Sequence, residues 1–155
     1  MKTRTIYDTL LATSRAVGET NDCAVIAIAA ATGTTYNRAH DALERAGRRT
    51  GRGSSLAQIS AALGALGHVE ECGELNPLDD GKERVRRIVK RKGGNVTVAT
   101  ITRYLSRTRR YVCWTRNHCF AVVDGQVEDW TDGRRHVVRG ALVVSTQPSP
   151  HENHQ

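Results

Sequence analysis

Nine apolar residues, Cys23 to Ala31 ("CAVIAIAAA"), run without a break near the start of the chain. Polar Asn21 and Asp22 precede them, and both residue types favour the cap position that satisfies a helix's first N–H groups. Gly33 follows, where a helix commonly stops. The stretch predicts a helix that starts at Asn21 or Asp22, runs through Ala31 and ends before Gly33. A second helix is predicted by "TYNRAHDALERAG", in which Ala39, Ala42, Leu43 and Ala46 fall on one face and Gly47 closes the C-terminus. "TGRGSS" reads as a loop whose Ser54 or Ser55 caps a third helix, "LAQISAALGALG". Before these helices the pattern is polar with scattered apolar residues, which predicts a short strand or extended arm around Thr3–Tyr7. After them, "HVEECGELNPLDDG" predicts a short strand and a loop broken by Pro77. "KERVRRIVKRK" predicts a helix with a basic outer face, closed by Gly93 and Gly94, and "TVATITRYLSR" a further short helix capped by Thr97.

From Arg110 the apolar period shortens toward that of a strand. "YVCWT", "HCFAVVD", "QVEDW", "RHVV" and "ALVVS" are β-rich runs separated by "RN", "DG", "TDG" and "RG". Helices first and an antiparallel meander afterwards are the pattern of an α+β fold. The length, 155 residues, fits one domain with one core, here residues 1–146. The remaining 147–155, polar with two prolines, are predicted to form a disordered tail.

Aromatic residues make up only 5% of the chain, so the core must be built mainly from Ala, Val, Leu and Ile. The longest apolar run is about half of the ~18 residues a membrane span needs. "MKTRTIYDTLLATSR" lacks the apolar stretch and cleavage site of a secretory signal. No membrane partner is expected, and a cytoplasmic location is. In that setting Cys23, Cys72, Cys113 and Cys119 are expected to stay reduced. The net charge of +7 and pI near 9.7 favour contact with nucleic acid or an acidic protein. The arginine runs "RAGRRTGR", "KERVRRIVKRK", "RYLSRTRR" and "DGRRH" are spread along the chain and read first as solvated surface, second as a nucleic-acid footprint.

Candidate chemistry centres on Cys23, His118 and Asp129. A thiol at a helix N-terminus sits where unsatisfied N–H groups and the helix dipole favour the thiolate. His118 opens the most apolar strand, and Asp129 lies on the strand expected to return beside it after the Asp124-Gly125 turn. A carboxylate beside a histidine fixes its tautomer, and such an imidazole can activate a thiol. Asp124 is the competing carboxylate, but turn chemistry alone explains it. Trp114 and Trp130 are expected to pack in the sheet, with Trp130 also shielding the Asp129–His118 pair. His40 is expected on the surface without a partner. Cys113, His118 and Cys119, with Cys72 or Cys23, are the candidate zinc ligands, but adjacent strand residues point to opposite faces, so no metal and no cofactor is expected.

"NDCAVIAIAAATGTTYNRAHDAL" followed by "NHCFAVVDGQVEDW" resembles the papain-like cysteine peptidase fold, closest to the small bacteriocin-processing (C39-like) peptidases and compact phage-encoded proteins of that type. The resemblance covers roughly residues 18–46 and 97–130. It implies an N-terminal helical half packed on a C-terminal antiparallel sheet. It also implies Cys23 as nucleophile, His118 as general base then acid, and Asp129 as the orienting carboxylate, acting on a protein or peptide substrate. A phage origin would place the chain in the host cytoplasm. The family's oxyanion glutamine, about six residues before the cysteine, is Val17 here. That leaves the Cys23 N–H, with Asn21 or Thr20 as a second donor. Asp22, an anion next to the thiol, would oppose the helix dipole. The expected function is a thiol-dependent peptidase or isopeptidase with a Cys-His-Asp triad. The alternative is an inactive basic protein on the same fold that binds nucleic acid or an acidic protein.

Overall fold

The computed structural model describes residues 5–66 and 96–144. The segments "HVEECGELNPLDDG" and "KERVRRIVKRK", for which the sequence predicts elements, lie outside the described residues, as do Cys72 and the tail. Within them, helices α1 (Thr5–Val17), α2 (Cys23–Thr32), α3 (Tyr36–Arg45) and α4 (Leu56–Ala65) precede strands β1 (Arg110–Trp114), β2 (Cys119–Val123), β3 (Gln126–Glu128) and β4 (Gly140–Val144). The strands form one antiparallel sheet in the order β3-β2-β1-β4, so the class is α+β. No described helix is long and apolar enough to cross a membrane.

α2 is apolar on every side, and a helix of that kind must be covered all round. Every residue from Ala24 to Thr32 is buried, between α1, α3 and the inner face of the sheet. Its C-terminus closes on Gly33, whose left-handed φ of 73° lets its N–H reach the Ala29 carbonyl. Thr35 caps α3 and Ser55 caps α4, the latter in a reciprocal box with Gln58. Period-two alternation then divides the sheet. Val112, Cys119, Ala121, Val123, Leu142 and Val144 face α2, whereas Tyr111, Cys113, Phe120, Val122, Ala141 and Val143 face the other way. That outer face is covered by Val96, Val98, Ile101, Leu105 and Val138. Asp124 (φ 52°) and Gly125 (φ 80°) form the two-residue turn between β2 and β3, where both positions require positive φ.

Three expectations are corrected. The Thr3–Tyr7 region is not extended: from Thr5 it belongs to α1, which buries Tyr7, Leu10 and Ser14 at helical spacing. The Tyr7 N–H is bound by the Glu128 carboxylate at 2.9 Å, so a partner distant in sequence anchors this helix. "TVATITRYLSR" yields only a 3₁₀ turn, Ile101–Arg103, because the Thr97 region is drawn into a bridge with Val137. For the same reason "RHVV" contributes that single bridge rather than a strand.

Candidate active site

The site grows from the junction of α1 and α2. Gly18 leaves α1 with φ 71° and Asn21 turns the chain with φ 51°, so Cys23 becomes the first residue of α2. Asp22 occupies the cap position, but its side chain makes no cap bond. Its carboxylate is instead bound by the hydroxyls of Ser14 (2.5 Å) and Tyr36 (2.6 Å). The negative charge expected to burden the thiol is thus engaged by two donors. Burial and then the Asp22 contact raise the Tyr36 phenol well above its usual value, which keeps it a neutral donor.

A second cluster fixes the same loop. The Glu19 carboxylate accepts from the N–H groups of Thr20 and Gly51 (both 2.9 Å), from the Arg48 guanidinium (3.2 Å) and pairs with the His40 ring (2.7 Å). Burial by itself would raise the Glu19 carboxyl, but these four bonds reverse the effect and hold it at about 2. Arg48 also donates to the Thr20 and Asn21 carbonyls. Its side chain is 1% exposed, so one member of the runs expected at the surface is a buried structural cation. His40, expected to be unpartnered, belongs to the same cluster. No sequence motif announces the cluster, which joins three separated segments.

The sheet supplies the rest. His118 directly precedes β2 and Asp129 directly follows β3, so the hairpin brings them together as predicted: Nε2 of His118 lies 2.7 Å from Oδ2 of Asp129. That carboxylate is buried and also accepts from the Thr131 N–H (3.1 Å) and hydroxyl (2.5 Å), a partner the sequence did not disclose. Cys23, the third member of the set, lines two cavities together with the same imidazole. Burial would lower the His118 pKa, but Asp129 and then Cys23 outweigh it and raise it to about 9. Trp130 is not packed within the sheet. It is 47% exposed and sets its ring beside His118, with centroids 5.6 Å apart. Cys113 and Cys119 are buried thiols, and burial pushes both upward.

Three cavities meet at His118. One, of about 290 Å³, runs from Cys23 between Ala24, Leu56, Ile59 and Trp114, past Gly53 and Ser54. The Ser54 hydroxyl is buried there with no partner among the described residues. A second, of about 410 Å³, opens on the other side of Cys23 toward Tyr7, Asn21 and Asp129. The third, of about 630 Å³, lies beyond His118. Of the two oxyanion candidates beside the Cys23 N–H, Asn21 reaches a cavity shared with Cys23, though its amide donates to the Gly51 carbonyl (2.9 Å). The Thr20 N–H is taken by Glu19, and Thr20 lines none of the three cavities. Among the described residues no group of three His, Cys, Asp or Glu side chains is placed to hold a metal ion. No family model matches the chain, and no curated protein or solved structure matches it either.

Proposed function

We propose that the protein is a thiol-dependent acyl-transfer enzyme, a cysteine peptidase or isopeptidase that uses Cys23, His118 and Asp129. The observation that carries this reading is one imidazole held at Nε2 by a buried carboxylate, lining two cavities together with a thiol at a helix N-terminus. The resemblance to papain-like peptidases supports the same roles. The Cys23 sulfur attacks the carbonyl carbon of a peptide or isopeptide bond. The developing oxyanion lies near the N–H groups of the first turn of α2, which have no acceptor within the helix. Protonated His118 then gives its proton to the leaving amine as the C–N bond breaks, leaving a thioester on Cys23. Water, or a second amine, attacks the thioester while His118 takes its proton, and the thiolate departs. Asp129 acts on the imidazole throughout by fixing its tautomer and stabilising its charge. The Ser54 hydroxyl offers a bond to substrate main chain in the apolar cavity.

Alkylation by iodoacetamide at pH 6 tests the reading, because an ordinary thiol of pKa ~8.5 is mostly unreactive there. Cys23 should be modified far faster than free cysteine, and His118→Ala should abolish the advantage. Equal rates for Cys23 and free cysteine would sink the proposal.

A further inference from the structure

The cavity beyond His118 is lined by Arg116, Trp130, His136 and Arg139, together with the turn residues Thr115 and Asn117. The sheet explains the gathering. Trp114 at the end of β1 is opposite Cys119 at the start of β2 and Gly140 at the start of β4, so both flanking turns emerge at the same end of the sheet. Arg116 lies in the β1–β2 turn and Arg139 directly before β4, pinned by its N–H to the Trp114 carbonyl at 2.8 Å. Neither guanidinium has an ion pair or side-chain hydrogen bond among the described residues, and no carboxylate lines the cavity. Trp130 contacts both imidazoles, its ring centroid 5.6 Å from that of His118 and 5.9 Å from that of His136.

We infer that this cavity is a subsite for a carboxylate on the leaving-group half of the substrate. The inference rests on the proposed acyl transfer: the cavity touches His118, which protonates the leaving amine, and does not include Cys23. Two arginines without acidic neighbours favour a carboxylate, which a guanidinium binds through paired N–H donors. An acidic side chain just beyond the scissile bond and a free C-terminus share that chemistry.

Labelling rates of Cys23 separate these possibilities. The probes are maleimidopropionyl-Glu-amide, carrying a side-chain carboxylate, maleimidopropionyl-Gln with a free C-terminus, and neutral maleimidopropionyl-Gln-amide. At least one acidic probe should react about tenfold faster than the neutral one, and whichever does so identifies the source. Arg116→Gln with Arg139→Gln should remove that advantage, bringing the ratio of acidic-probe to neutral-probe rates down to about one. Arg38→Gln with Arg45→Gln, an equal charge change on α3, should preserve it. Equal rates for all three probes, or the same loss in both double variants, would overturn the subsite and leave only general attraction to a basic protein. Failure of the triad reads out separately, as a neutral-probe rate that His118→Ala does not lower.

Discussion

At the scale of single residues, His118 decides what the site can do. Its pKa near 9 sets an imidazolium beside Cys23 at neutral pH, and the principal stabilising partner is Asp129. Asp129→Asn keeps an acceptor at that place but removes the charge. The His118 titration, followed by NMR of its ring protons, should then fall from about 9 toward 6.5, and the Cys23 alkylation rate at pH 6 should drop by about 10²-fold. The same shift couples to stability. A histidine raised in the folded state stabilises fully below its unfolded value of 6.5, and the contribution is lost as pH rises through about 9. The wild type should lose roughly 3 kcal/mol between pH 6 and pH 9.5 by this route, a loss that urea melts of His118→Gln should not show. The pair was legible in the sequence because a tight hairpin turn fixes which residues face each other. Thr131 was not, since a side-chain bond two residues away has no pattern of its own.

At the scale of elements, the loop between α1 and α2 is held by Glu19, His40 and Arg48, which come from that loop, from α3 and from the chain after it. A carboxyl lowered in the folded state stabilises above its unfolded value of 4.5, and that contribution disappears as pH falls toward about 2. Acid unfolding followed by circular dichroism should therefore show a steep loss between pH 4.5 and 2 that Glu19→Gln flattens. Arg48→Met leaves the buried carboxylate without its cation and should cost about 3 kcal/mol in urea denaturation, with slower Cys23 alkylation as the loop loosens. Helices α3 and α4 were readable because apolar spacing and capping residues agree along each of them, and α2 because its unbroken apolar run ends at Gly33. α1 was not, because its few apolar residues find their partners only in the folded molecule: Glu128, across the sheet, binds the Tyr7 backbone. The cluster at Glu19 escaped for a similar reason, and "RAGRRTGR" read as a solvated run although Arg48 is buried.

At the scale of the whole molecule, one sheet serves two cores, and the candidate site lies at its end. Gly140 shows the dependence: a Cβ there would meet three atoms of the Trp114 ring at 3.0 Å or less, and that ring walls the apolar cavity beside Cys23. Gly140→Ala should push the indole into that cavity. Cys23 should become less accessible to bulky maleimides than to iodoacetamide, and unchanged relative rates would show that the ring adapts elsewhere. The helices-then-strands order was plain from the change of apolar period at Arg110. The cover on the outer face was not, because the Val96–Leu105 segment has neither clean helical nor clean strand spacing and is shaped by the sheet it lies on.

On the proposed mechanism, Cys23 carries an acyl group in transit. The most direct measurement is intact-mass and peptide-mass analysis after brief exposure to p-nitrophenyl acetate. A stoichiometric burst of nitrophenolate with a thioester on Cys23 that then hydrolyses is expected, and His118→Ala should slow both steps. No adduct at Cys23, or acetylation confined to lysines, would contradict the account.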